Sequence, residues 1–207
     1  MLKSLKAATD VSQAVPASRY AIFSLIALGG CALDLASKSW IFAKLGMPYQ
    51  QPSLWLWENV FGFTISLNEG ALFGLGQGQV AAFVVLSVAA GIGILYWLFV
   101  AGGAADRMLT VALGCVSAGI LGNLYDRLGL PGLVWNYADL RGLHQAGDPV
   151  YAVRDWLHFK VDAIGLNWPI FNLADSLLVC GAGLLVWYSL RTELSATGKT
   201  AASSPAK

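Results

Sequence analysis

The sequence predicts an all-α membrane protein built on four transmembrane helices, and three observations carry that prediction. Only 12% of the residues are charged and 57% are hydrophobic, with a mean hydropathy of +0.61; a soluble domain typically carries about twice that charge. Four apolar stretches can be read at the length of about 20 residues that crosses a bilayer. Lysine and arginine gather in alternate flanks of those stretches, as a defined orientation requires.

Taken in order, residues 1–19 are polar and small, a cytoplasmic tail expected to be disordered. The first span begins at Tyr20 and is apolar to Leu33; it reaches full length only if it continues past Asp34 and Lys38 to about Ala43. Asp34 and Lys38 stand four apart on one helical face and are expected to pair, as structural support. Lys3, Lys6 and Leu28-Gly29-Gly30-Cys31 together imitate a lipoprotein signal sequence with its acceptor cysteine. Three further spans favour Cys31 as a mid-helix residue; an intact mass lacking residues 1–30 would say otherwise.

The external segment 44–79 opens with Trp55 and Trp57, rings suited to the headgroup zone. Phe61, Phe63, Ile65 and Leu67 then alternate with Gly62, Thr64 and Ser66, which predicts a short strand. Asn68-Glu69-Gly70-Ala71-Leu72-Phe73-Gly74 turns the chain toward the second span. Its glycines suit a surface on which an extended peptide lies, and equally a simple turn.

The second span, Val80 to Ala105, holds no charge, nor does the third, Met108 to Tyr125, with Arg107 in the tight turn between them. Gly122-Asn123-Leu124-Tyr125-Asp126-Arg127 closes the third; Asn123 and Asp126 share a face, and the Arg127 fork is expected to hold Asp126 ionised. The second external segment, 126–169, is mixed, with four basic and five acidic residues. The fourth span runs from Ser176 to Leu190, and residues 192–207 form a second polar tail expected to be cytoplasmic and disordered. The domain embedded in the membrane is thus 20–191.

Cys31, Cys115 and Cys180 all fall within spans and read as small buried hydrophobes. His144 and His158 lack metalloprotease spacing, so no metal and no cofactor is expected. A net charge of +1 argues against a nucleic-acid partner.

Two aspartates carry the chemistry. Asp155 lies in Val153-Arg154-Asp155-Trp156-Leu157, and Asp175 opens the fourth apolar run in Phe171-Asn172-Leu173-Ala174-Asp175-Ser176. Peptide hydrolysis needs one group to deprotonate water and another to protonate the carbonyl oxygen or the leaving nitrogen. Two close carboxyls do both without metal, because their repulsion keeps one protonated. Asp175 sits in the first turn of a helix, where the dipole favours an anion, so it is the expected base. Asn172 can orient a carboxylate or the peptide.

Five segments, around Asp34-Leu35-Ala36-Ser37-Lys38, Asn68-Glu69-Gly70-Ala71-Leu72-Phe73, Gly122 to Arg127, Val153 to Trp156 and Phe171 to Ser176, occur in the order found in lipoprotein signal peptidases, which the chain resembles across residues 34–176. The resemblance implies four helices, a small extracytoplasmic β-cradle with a periplasmic loop or helix, and a catalytic dyad at Asp155 and Asp175. It implies supporting roles for Asp34, Lys38, Asn68, Gly70, Asn123, Asp126, Arg127 and Asn172. It further implies a bacterial inner-membrane protein with cytoplasmic termini and a site near the periplasmic face. Substrates would be diacylglyceryl prolipoproteins cut before the lipidated cysteine, taken from the membrane lipid by a monomer sensitive to globomycin-type inhibitors. One departure stands out. Twenty-nine positions separate Asp126 from Asp155, about three times the family's usual spacing. The insertion, roughly 130–151, brings a rival aspartate, Asp139, and is a candidate lid.

Two other classes fit the composition. A small transporter or proton-relay protein would use Asp34, Lys38 and Asp175 as a relay, but the broken repeats common in such folds are missing. A non-catalytic assembly factor would use the same groups only to hold helices together.

Overall fold

The computed structural model describes residues 15–70 and 75–202, with side chains as far as residue 193. Lys3, Lys6, Lys207 and the segment Ala71-Leu72-Phe73-Gly74 lie outside the described residues.

Four helices are long and apolar enough to cross a membrane: α1 (Ala17–Leu45), α2 (Val80–Leu95, continued by a π turn at Tyr96–Val100), α3 (Arg107–Arg127) and α4 (Leu173–Ala202). Lipid offers the backbone no hydrogen bonds, so helix is the form these apolar runs must take. α1 passes straight through Asp34 and Lys38, because the two charges satisfy one another at 2.7 Å. Between α2 and α3 the chain reverses at Gly102, in the left-handed region at φ +82°. Asp106 then caps α3, its Oδ1 accepting from the N–H groups of Met108 at 2.7 Å and Leu109 at 3.0 Å.

α3 is the central helix, packed between α1 and α4. Small residues make that approach possible. A Cβ at Gly119 would run into the Ala174 carbonyl, and one at Gly122 into the Asp34 carboxylate. α2 buries none of its residues between Val80 and Leu95 and stands at the edge of the bundle. Cys31 lies within α1.

The protein is not all-α. An antiparallel sheet, β1 (Leu54–Trp57), β2 (Phe61–Asn68), β3 (Val153–Val161) and β4 (Leu166–Asn167), runs in that order. β2 is the strand that the alternation around Phe61 to Leu67 predicts. β1 arises because Asn59, at φ +57°, turns Leu54–Trp57 back onto β2. β3 escapes a period-two reading because both of its faces are used: Val153, Arg154, Asp155 and Trp156 are all buried. Among the described residues no α-helix lies outside the four spans; the segment between α3 and α4 holds a 3-10 turn at Asp162–Ile164. α4 also runs ten residues beyond Thr192, through part of the segment expected to be disordered.

Candidate active site

The sheet and the helix ends converge between β3, α3 and α4. Register sets Ser66 of β2 opposite Asp155 of β3, and Leu67 opposite Arg154. Neighbouring strand residues point to opposite faces, so Arg154 and Asp155 serve different networks. The Arg154 backbone N–H donates to Asp126 Oδ2 at 3.0 Å, and its guanidinium meets Asp126 Oδ1 at 2.8 and 2.9 Å. Asp155, only 2% exposed, turns the other way. It accepts from Asn172 Nδ2 at 2.6 Å and Asn68 Nδ2 at 3.3 Å.

Asp175 is placed by the start of α4. Asn172 stands immediately before the helix; its Oδ1 accepts the Asp175 N–H at 2.9 Å, while Asp175 Oδ2 accepts the Asn172 N–H at 3.1 Å. This reciprocal pair is the capping-box arrangement, with asparagine and aspartate in place of the commoner serine and glutamate. Asp175 Oδ1 accepts from Asn123 Nδ2 at 2.8 Å.

Three amides around the two carboxyls have no freedom to flip. Each amide oxygen faces a group that can only donate. Asn123 Oδ1 faces Lys38 Nζ at 3.0 Å, Asn172 Oδ1 faces the Asp175 N–H, and Asn68 Oδ1 faces the Gly70 N–H at 3.0 Å. Every Nδ2 is therefore committed to a carboxylate. Asn172 touches both aspartates, through its side chain and its backbone.

Asp155 and Asp175 line one cavity of about 480 Å³, with Asn68, Gly70, Asn123 and Arg127 in its wall and Leu67, Ile170, Phe171 and Leu178 as its apolar part. Burial, followed by the nearby Asp175 charge, pushes the Asp155 carboxyl well above the ordinary carboxylate range.

The supporting residues fall into two tiers. Asn68, Gly70, Asn123, Arg127 and Asn172 border the cavity or bond its aspartates. Asp34, Lys38 and Asp126 lie behind it, all 0% exposed. Lys38 pairs with Asp34 and, at 3.1 Å, with Asp126, and Asp34 Oδ1 accepts the Ala174 N–H at 2.9 Å, fastening α1 to the start of α4. One expectation is corrected: Arg127 does not hold Asp126. Arg127 Nη2 donates to the Gly70 carbonyl at 2.9 Å and its guanidinium lies over Phe83 at 4.9 Å, while Arg154 and Lys38 neutralise Asp126. Asp139 lies in the insertion, paired with Arg141, which holds its carboxyl below the usual range. It does not line the cavity.

No sequence motif marks Gln77, which lines the cavity and whose Nε2 donates to Asn68 Oδ1 at 3.4 Å. Arg154 was also missed, although a buried strand that turns one charge to each face announces itself as two adjacent charges.

The chain matches the family model described as signal peptidase (SPase) II over residues 26–191. It is 46% identical to a lipoprotein signal peptidase of Rhodopirellula baltica over 173 residues, 84% of this chain and 73% of that one. With the lipoprotein signal peptidase of Bacillus subtilis it shares 32% over 166 residues, covering 79% and 90%. Its fold resembles that of a bacterial membrane enzyme solved at 2.3 Å, with a TM-score of 0.65 at 23% identity, covering 90% of this chain and 94% of the other. The strand and helix ends that bring Asp155 and Asp175 together therefore belong to a multi-pass membrane protease of the aspartic type, and the chain is a member of the signal peptidase II family.

Proposed function

We propose that this protein removes signal peptides from diacylglyceryl-modified prolipoproteins, with Asp155 and Asp175 as its dyad. The observation that carries the assignment is Asn172, which ties both carboxyls to one cavity.

In this reading Asp175 is the base and Asp155 holds the proton. Asp175 takes a proton from water as the oxygen adds to the carbonyl carbon preceding the cysteine. Asp155 gives its proton to the carbonyl oxygen, leaving a gem-diol. Asp175 then protonates the departing nitrogen, while Asp155 takes a proton back from the diol as the carbonyl reforms. The products are a signal-peptide carboxyl group and the free amine of the lipidated cysteine, and the dyad returns to its starting state. Arg127 Nε, buried without a hydrogen-bond partner among the described residues, offers a donor to the cleavage segment. The signal helix enters from lipid, the protein acts as a monomer in the inner membrane with cytoplasmic termini and a site near the periplasmic face, and globomycin-type inhibitors block it. The transporter and assembly-factor readings find no support beside the family match.

The test is cleavage of a purified diacylglyceryl prolipoprotein in detergent, followed by gel shift with and without globomycin. Asp155→Asn and Asp175→Asn should each fold and lose cleavage. A folded variant that still cleaves at a wild-type rate removes that residue from the dyad.

A further inference from the structure

Residues 130–151 form a folded wall beside the site. Trp135 N–H donates to the Asp148 carbonyl, Gly147 N–H to the Trp135 carbonyl and Val150 N–H to the Leu133 carbonyl, each at 2.9 Å. Trp135, Val150 and Ala152 bury together against Met47 and Leu67, which fixes the wall to the outer end of α1 and to β2. Between this wall and the first turns of α2 lies a second cavity of about 640 Å³. One side is apolar, with Val80, Val84 and Val85; the other carries Glu69, His144 and Asp148. Arg127 lines this cavity and the one holding the aspartates, so the two adjoin.

His144 in that wall and the Glu69 side chain across the cavity are each short of a hydrogen bond among the described residues. His144 is 6% exposed and lies flat on Trp135, with ring centroids 3.5 Å apart, yet its Nδ1 is buried with no hydrogen bond among the described residues. Glu69 makes no ion pair among the described residues, and burial pushes its carboxyl up. Among the nearby charges His144 works against that shift without outweighing burial, Asp139 and Arg141 offset each other, and Arg127 is engaged by the Gly70 carbonyl. Asp148, at the rim, spends one oxygen on the Gln145 N–H at 2.7 Å. An apolar slot ending in carboxyls that form no ion pair among the described residues fits a side chain with a long aliphatic stem and a charged tip.

We propose that this cavity is a substrate subsite that takes a lysine or arginine side chain from the first residues of the mature lipoprotein, just after the lipidated cysteine. The proposal rests on the peptidase reading above. The signal helix stays in lipid, so the mature chain is the part of the substrate that meets a polar wall outside the bundle. The stem lies along Val80 and Val84, and the cation reaches Glu69 and the His144 ring.

The experiment uses three lipidated substrates with one signal peptide and Lys, Ser or Glu at the second and third positions counted from the cysteine. The full-length enzyme should favour Lys over Glu by about tenfold in kcat/KM, with Ser between. Glu69→Gln should bring that ratio to within about threefold while leaving the Ser substrate unchanged. His144→Phe, which keeps a ring on Trp135 and removes Nδ1, should slow the Lys substrate alone. A wild-type enzyme indifferent to the three, or an unchanged preference in both variants, overturns the subsite. Failure of the wild type to cut even the Ser substrate instead overturns the peptidase reading beneath it.

Discussion

Lys38 Nζ donates to Asn123 Oδ1 at 3.0 Å from a site where its charge is already matched by Asp34 and Asp126. An ammonium cannot accept a hydrogen bond, so the Asn123 amide must turn its NH₂ toward Asp175. Lys38 thereby positions a donor on a carboxylate that it does not touch. Replacing Lys38 alone would leave buried carboxylates short of a cation, which is severely destabilising. Lys38→Met combined with Asp34→Asn keeps the cluster neutral and retains the oxygen that caps Ala174. That pair should fold and should lower kcat about 10- to 100-fold with little change in KM, because misorientation at the site, not binding, is what changes. A folded double variant with wild-type kcat would sink the idea.

The raised Asp155 carboxyl makes stability depend on pH with a definite sign. Below the ordinary aspartate range the folded and unfolded states both hold the proton, and the group contributes nothing. As pH rises from there through the folded-state value, the unfolded chain releases the proton and the native site keeps it. Stability therefore falls across that window and stays lower above it. Each pKa unit of displacement is worth about 1.4 kcal/mol. Asp155→Asn sets an NH₂ against one of the two amide donors, a cost that does not vary with pH, so the trend is the readout: relative to wild type in detergent, the variant should gain in melting temperature from pH 4 to neutral. A difference that stays constant across that range would show that Asp155 is not held protonated.

What could be read in the sequence, and what could not, divides by how local the signal is. The spans were legible because lipid imposes about 20 apolar residues and nothing else reproduces that length. β2 was legible because one of its faces differs from the other. β3 was not, because Arg154 and Asp155 are both buried, on opposite faces, and no alternation survives. The pairing of Asp126 followed the same rule. Arg127 is its neighbour in sequence, but on a helix adjacent residues point about 100° apart, and the cation that reaches Asp126 comes from a strand 28 positions away. Asn172 and Asp175 were visible as a pair; that they form a cap required knowing that the helix begins at Leu173.

That reassignment of Asp126 can be tested by comparing two arginines. Arg154→Met strips a buried carboxylate of its guanidinium, and breaking such a pair typically costs about 3–5 kcal/mol. Arg127 is half-buried and, among the described residues, bonds a carbonyl and lies over the Phe83 ring, so Arg127→Met should cost about 1 kcal/mol and act mainly on cleavage. Thermal unfolding in detergent should therefore show a large drop for Arg154→Met and a small one for Arg127→Met. The reverse order would restore the Arg127–Asp126 pairing.

Helix spacing sets the site as much as charge does. A Cβ at Gly122 would strike the Asp34 carboxylate and press on Ala174, and one at Gly119 the Ala174 carbonyl. Both neighbours are backbone or a fixed ion pair, so α3 must shift away from α1 and α4. Overpacking of this kind costs about 1–3 kcal/mol. Because Asn123 spans the same gap to reach Asp175 at 2.8 Å, Gly122→Ala should also slow cleavage, beyond its effect on stability. Gly29, with open space where its Cβ would go, is the control: Gly29→Ala should leave melting and cleavage alone, and equal losses at both positions would refute the packing argument.

Two of the five aspartates between residues 126 and 169, Asp139 and Asp155, make opposite predictions. Asp139 forms its ion pair with Arg141 in the insertion and accepts backbone N–H groups of its own turn, at 2.8 Å from Arg141 and 3.5 Å from Leu143. Asn at 139 keeps an acceptor for that turn and loses only an exposed ion pair, a change worth less than about 1 kcal/mol. Asp139→Asn should therefore cleave within about twofold of wild type, as surface changes of this size usually do. Asp155→Asn instead replaces the carboxyl placed between Asn172 and Asn68, and turnover should disappear. If the Asp139 variant were the inactive one, the insertion would have to fold over the cavity in the substrate complex and bring its own carboxyl to the water.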